Sequence, residues 1–215
     1  EISQKHYQFA KWLLGTALLQ WASGNLFVLA AGAILGAVAI GAIRMVQNIM
    51  GLLHVLFLTM ENVIPVKAAA HYREAGFAGL SRYLITVSWQ MGLGILLLLS
   101  FVALFAPYLI GFLYGEEYVA YAFVLLGYCL IYILIFIGHP LRFALRTLED
   151  TRPIFVAYVL SAGFSLMAAY PMVRAWGLYG FMLGLFVTQL IAQLVYVYFL
   201  RKAYRYYENH PFGIG

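Results

Sequence analysis

The stretch from Arg44 to Pro65, RMVQNIMGLLHVLFLTMENVIP, decides how this chain must fold. Most of it is Leu, Ile, Val, Met and Phe. As a helix it is long enough to cross a bilayer core, which takes roughly 20 residues. Yet it carries Arg44, Gln47, Asn48, His54, Glu61 and Asn62. At about 100° per residue these positions, with Gly51 and Pro65, fall within an arc of about 140°. One face is polar and ionisable from end to end, and the other suits lipid or neighbouring helices. In lipid the backbone must satisfy its own hydrogen bonds, so the stretch is read as a helix and not as an open strand.

Outward from it lie further apolar runs. The spans are read at about 12–35, 37–64, 83–105, 118–138, 154–173 and 177–200, six in all. The chain is 65% hydrophobic and only 10% charged, where soluble domains are about 45–50% apolar and about 25% charged. A soluble globular domain, a disordered chain and a disulfide scaffold are therefore excluded. The expected class is an all-α membrane protein, a six-helix bundle in a single unit covering 1–215. The connections leave no room for a soluble domain.

Topology follows from the cations. Lys5 and Lys11 precede the first span. Lys67, Arg73 and Arg82 lie between the second and third, Arg142, Arg146 and Arg152 between the fourth and fifth, and Arg201, Lys202 and Arg205 after the sixth. Of the 13 basic residues only Arg44 and Arg174 stand elsewhere. The positive-inside rule then puts both termini in the cytoplasm. The net charge of +5 is a topology signal here and does not point to nucleic acid. The outer connection before the fourth span is acidic, with Glu116 and Glu117. Val66 to Arg82 is expected to be an amphipathic helix at the headgroup level. Lys67, Arg73, Arg142 and Arg146 are expected to form a cytoplasmic basic surface. His139 to Pro153 is read as a polar hinge, with Pro140 and Pro153 marking helix ends.

Charges inside a span are costly, about 2.5–3.5 kcal/mol for Arg, Lys or Asp at the helix centre, and usually face a cavity or a bundle interior. Arg44 and Glu61 are too far apart along one helix to pair, so each needs a partner elsewhere, water or a ligand. Arg44 has the planar guanidinium that suits phosphate or carboxylate. Gln47, Asn48, His54 and Asn62 offer hydrogen bonds on the same face. Glu61 and His54 are candidates for ion or proton coupling. Weaker polar stripes run along Trp12, Thr16, Gln20 and Ser23, along Ser161 and Ser165, and along Gln189, Gln193 and Tyr196. Hydrogen bonding between helices is the plain reading of these. Gly24, Gly32, Gly36 and Gly41, and later Gly177, Gly180 and Gly184, suit close helix packing.

The single cysteine, Cys129, sits in an apolar run and has no partner for a disulfide. No phosphate loop, zinc spacing, cofactor motif or catalytic constellation is present. His139 before Pro140 is too little to suggest an acyltransferase, and no enzyme is expected.

The run FAKWLLGTALLQWASGNLFVLAAGAILGAVAIGAIRMVQNIMGLLHVLFLTMENVIPVKAA resembles the opening helix pair of the second half of polysaccharide flippases. These belong to the multidrug/oligosaccharidyl-lipid/polysaccharide exporter superfamily. LYGEEY, LEDTRPIF and GLYGFMLGL fit the same pattern at residues 113–118, 148–155 and 177–185. The resemblance implies one lobe of a two-lobe, MATE-like transporter in a bacterial or archaeal cytoplasmic membrane, used in polysaccharide or lipopolysaccharide biosynthesis. It implies a polyprenyl-pyrophosphate-linked oligosaccharide as substrate, moved by alternating access without ATP or other cofactor. Implied partners are the bilayer, an N-terminal lobe of the same protein or a second copy, and a polysaccharide polymerase with glycosyltransferases. A start at Glu1 instead of Met is what a piece of a longer protein would show. Two rivals stay open: a cation-coupled multidrug exporter of the same superfamily, and a non-transporting scaffold for polysaccharide assembly.

Overall fold

The computed structural model describes residues 2–150 and 152–209, with the side chains of 15–150 and 152–205. Lys5, Lys11 and Trp12, named above for charge and for a polar stripe, have side chains outside the described set. Among the described residues there is no strand. Helix α1 runs Ile2–Leu104, α2 Ala106–Tyr114, α3 Ala122–Thr147 and α4 Arg152–Asn209, with a 3-10 turn at Glu116–Tyr121 before α3.

A straight helix of 103 residues would run about 150 Å, some five times a hydrocarbon core. The chain avoids this at particular residues. In α1 the backbone leaves helical geometry at Gly36, with φ 80°, and again at Ala75 and Gly76, with φ −137° and 59°. In α4 it does so at Gly177, with φ 55°. Positive φ costs an L-residue roughly 1–2 kcal/mol but costs glycine little. These corners divide α1 into arms 2–35, 37–74 and 77–104, and α4 into arms 152–176 and 178–209.

The segment Val66 to Arg82 is therefore not one surface helix. Its first part continues the second arm, its last part opens the third, and Ala75–Gly76 is the corner between them. His71, beside this corner, stacks on Tyr83 at 4.6 Å. Pro140 also departs from expectation. It lies inside α3 instead of ending it. Proline removes one backbone hydrogen bond and kinks a helix, but here the helix runs on to Thr147. The nine-residue α2 was not foreseen, being too short to register as a span.

The arms pack around a core that includes Phe27, Ile43, Val46, Met50, Leu125 and Phe181. The outside is equally apolar, with Phe112 89% and Trp89 79% exposed. Water does not tolerate so continuous an apolar exterior. Gly15–Leu104, Glu116–Thr147 and Arg152–Arg205 are each long and apolar enough to cross a membrane. The chain is an all-α protein of membrane type.

Glycine works unevenly. A Cβ at Gly184 would overlap the Phe27 ring, and one at Gly180 the backbone of Met172 across the Gly177 corner. These two positions are true close approaches. Gly24 and Gly41 have open space beside them, so packing does not explain them, and Gly36 and Gly177 serve as corners.

Candidate functional site

The second arm of α1 carries its polar residues to two separate places. Near the Gly36 end, Arg44 Nη1 donates to Gln47 Oε1 at 2.8 Å, one helical turn on. Gln47 Nε2 in turn donates to the Tyr128 hydroxyl of α3 at 3.2 Å. Arg44 and Asn48 are exposed on the outside of the bundle, as are Asn62, Lys67 and Arg73 further along. None of these five lines the main cavity.

That cavity has a volume of about 450 Å³. It lies among the first two arms of α1, α3, and both arms of α4. Of the polar residues singled out on the second arm, only His54 and Glu61 line it. Glu61 is not left to water or a ligand alone, because Arg142 of α3 donates to its carboxylate. Arg142 is thereby corrected: its side chain is only 17% exposed and it belongs to the cavity, not to a basic surface. Arg146, one turn on, is exposed but also lines the cavity.

His139 completes the cluster. It is 3% exposed. Its Nδ1 lies 2.9 Å from Arg142 Nη2 and 3.9 Å from the Glu61 carboxylate. Arginine has only donors, so Nδ1 must accept, and the ring proton sits on Nε2. The ring is clamped edge-on against Phe57 at 4.7 Å and flat against Phe143 at 5.5 Å. Among the described residues its Nε2 is buried without a hydrogen-bond partner. Gln193 Oε1 is buried without one as well. The Gln193 amide nitrogen donates to Leu134 O at 3.2 Å, and the carboxamide lies where a Cβ at Gly138 would be. His139 and Gln193 thus each bury one polar atom without a partner among the described residues, and such groups are rare.

Hydroxyls beside the cavity cross-link its helices. Ser165 Oγ donates to Ser23 O at 3.1 Å, joining α4 to the first arm. Ser161 Oγ donates to Thr188 O at 3.1 Å, joining the two arms of α4. Thr188 Oγ1 turns back to Gly184 O at 2.8 Å. The serine stripe read from the sequence is a set of bonds between helices, as its plain reading held.

Sequence reasoning missed His139 and misplaced Arg142. The signal was present, since His139, Arg142 and Arg146 are spaced three and seven apart, one face of a helix. It becomes visible only once the helix is allowed to continue through Pro140. Beside the Glu61–Arg142 pair, the cavity can offer an oxyanion the cation Arg146. Among the described residues, no group of three or more His, Cys, Asp or Glu gathers as a metal site.

No family model matches the chain, and neither does any curated protein or solved structure.

Proposed function

We propose that this chain is one lobe of a membrane transporter that flips polyprenyl-pyrophosphate-linked oligosaccharides across the cytoplasmic membrane by alternating access. The observation that carries the reading is the hydrogen-bonding cavity of about 450 Å³ inside an otherwise apolar helical bundle. Polar and ionisable groups at membrane depth are expensive and mark substrate or ion paths. Support comes also from the helical corners. They leave five long arms besides α3 and α2, and on this reading the arms and α3 cross the bilayer six times with both ends in the cytoplasm.

The reading gives each polar cluster a place. Arg44, Gln47 and Asn48 stand on the outer face of the lobe, where a second lobe or a second copy would close over them. Arg44 then holds an anionic pyrophosphate or acidic sugar, and Gln47 and Asn48 bond sugar hydroxyls. Rocking of one lobe on the other exposes them to each side in turn. A cation-coupled drug exporter would rely on an available acid in the membrane. Glu61 is the acid of the second arm, and it is held by Arg142, which favours the flippase.

The test is translocation of a lipid-linked oligosaccharide by the full protein in proteoliposomes. Arg44→Ala should slow it at least tenfold and weaken headgroup binding alike, whereas Arg73→Ala should leave both unchanged. Unchanged rates for Arg44→Ala would remove the anion site from the scheme.

A further inference from the structure

A second concavity lies away from the cavity described above. Between the third arm of α1, α3 and the far end of α4 runs a groove of about 340 Å³. Ser81, Ser88 and Ala144 supply little bulk there, between the longer Leu84, Leu141 and Leu200. The two serine hydroxyls are spent on their own helix. Ser81 Oγ donates to Ala78 O at 3.1 Å, and Ser88 Oγ to Leu84 O at 2.6 Å. The groove therefore offers an occupant nothing polar along its length, and what fills it in a bilayer is hydrocarbon.

One end of the groove is different. Arg82 follows Ser81, and Arg201 and Lys202 follow Leu200. Phe77, which lines the groove, packs on Tyr204 at 5.4 Å, so the basic end of α4 is held beside the start of the third arm. Arg82, Arg201 and Lys202 are all exposed, and none pairs with a carboxylate among the described residues. A hydrocarbon slot whose lining residues Ser81 and Leu200 are followed directly in the chain by the exposed cations Arg82, Arg201 and Lys202 matches a molecule with an apolar chain and an anionic head. Basic pockets of this kind between membrane helices hold anionic lipid headgroups.

We propose that this groove binds one anionic phospholipid of the surrounding membrane, an acyl chain lying in the slot and the phosphate head at Arg82 and Arg201. A packed partner helix would fill the slot but has no need of the cations. The site is independent of the transport reading, and asks only that the chain sit in a membrane.

Native mass spectrometry of the full protein released from detergent tests it, with phosphatidylglycerol and phosphatidylcholine of identical chains added in turn. One phosphatidylglycerol should be retained, at roughly tenfold higher occupancy than phosphatidylcholine. Arg82→Gln with Arg201→Gln should bring that ratio to about one. Ala144→Leu should lower retention of both lipids. Should Ala144→Leu fail to fold, Ser88→Leu fills the slot from the other wall. Equal retention of the two lipids overturns the proposal. So does a ratio unmoved by the arginine changes, or preferential retention of a polyprenyl phosphate over phosphatidylglycerol.

Discussion

Arg142 and Glu61 lie 81 residues apart in the chain and are joined in the fold, α3 donating to the second arm of α1. The bond locks two elements that share a wall of the main cavity. It also binds His139 into the same cluster, because one guanidinium nitrogen serves both partners.

Breaking that link from either side should cost stability, since the remaining charge is left three-quarters buried or more. Glu61→Gln and Arg142→Gln should each lose roughly 1.5–3 kcal/mol, the range for a hydrogen bond to a charged group. The double variant should lose clearly less than the two together. Unfolding of the purified protein in mixed micelles measures the cycle. Strict additivity would show that the two side chains do not interact.

Gly184 and Gly163 separate close packing from mere glycine content. Gly184→Val drives a side chain into the fully buried Phe27 ring and should lower stability by about 1–3 kcal/mol, as overpacking does. Among the described residues nothing lies within 4 Å of a would-be Cβ at Gly163, so Gly163→Ala should be neutral or slightly stabilising. A thermal shift assay on the two variants decides between them, and equal midpoints would contradict the packing.

The hydroxyl bonds between helices should be individually weak. Ser165→Ala removes the link to Ser23 O and should cost about 0.6 kcal/mol, the average for such bonds in a membrane protein. Ser161→Ala should cost a similar amount. A loss beyond about 2 kcal/mol for either would mean that it holds more than one helix contact.

The proposed six-crossing arrangement predicts a labelling pattern. In a Cys129→Ala background, a cysteine at Glu116 should react with an impermeant maleimide added outside intact cells. Cysteines at Arg73 or Lys202 should react only after permeabilisation. Outside labelling at Lys202 would invert the topology or change the number of crossings.

The helical character and the membrane setting could be read directly, because apolar runs of bilayer length have few other uses. The corner at Gly36 falls in the gap between the spans at 12–35 and 37–64, but in sequence Gly177 reads as a packing glycine inside the sixth span, and its corner with φ 55° comes only from the structure. Pro140 misled. Its usual role as a helix stop hid the turn on which His139, Arg142 and Arg146 line up. The pairing of Glu61 with Arg142 could not be read at all, since nothing local announces a partner on another helix. The polar stripe of the second arm was visible as a stripe. That it parts into an Arg44–Gln47 half away from the cavity and a cavity-lining His54–Glu61 half depends on where α3 and α4 settle against it.

The corner at Gly36 has a bearing on how the protein is made. Arg44 follows it by about two helical turns, so the apolar first arm leaves the biosynthetic machinery immediately before the costly residue. On the proposed six-crossing arrangement, so short a bend would bring the two arms into the membrane as a paired unit. The combined hydrophobicity of the hairpin would then decide insertion of the second arm, and its polar stripe would not be presented alone to the acyl chains.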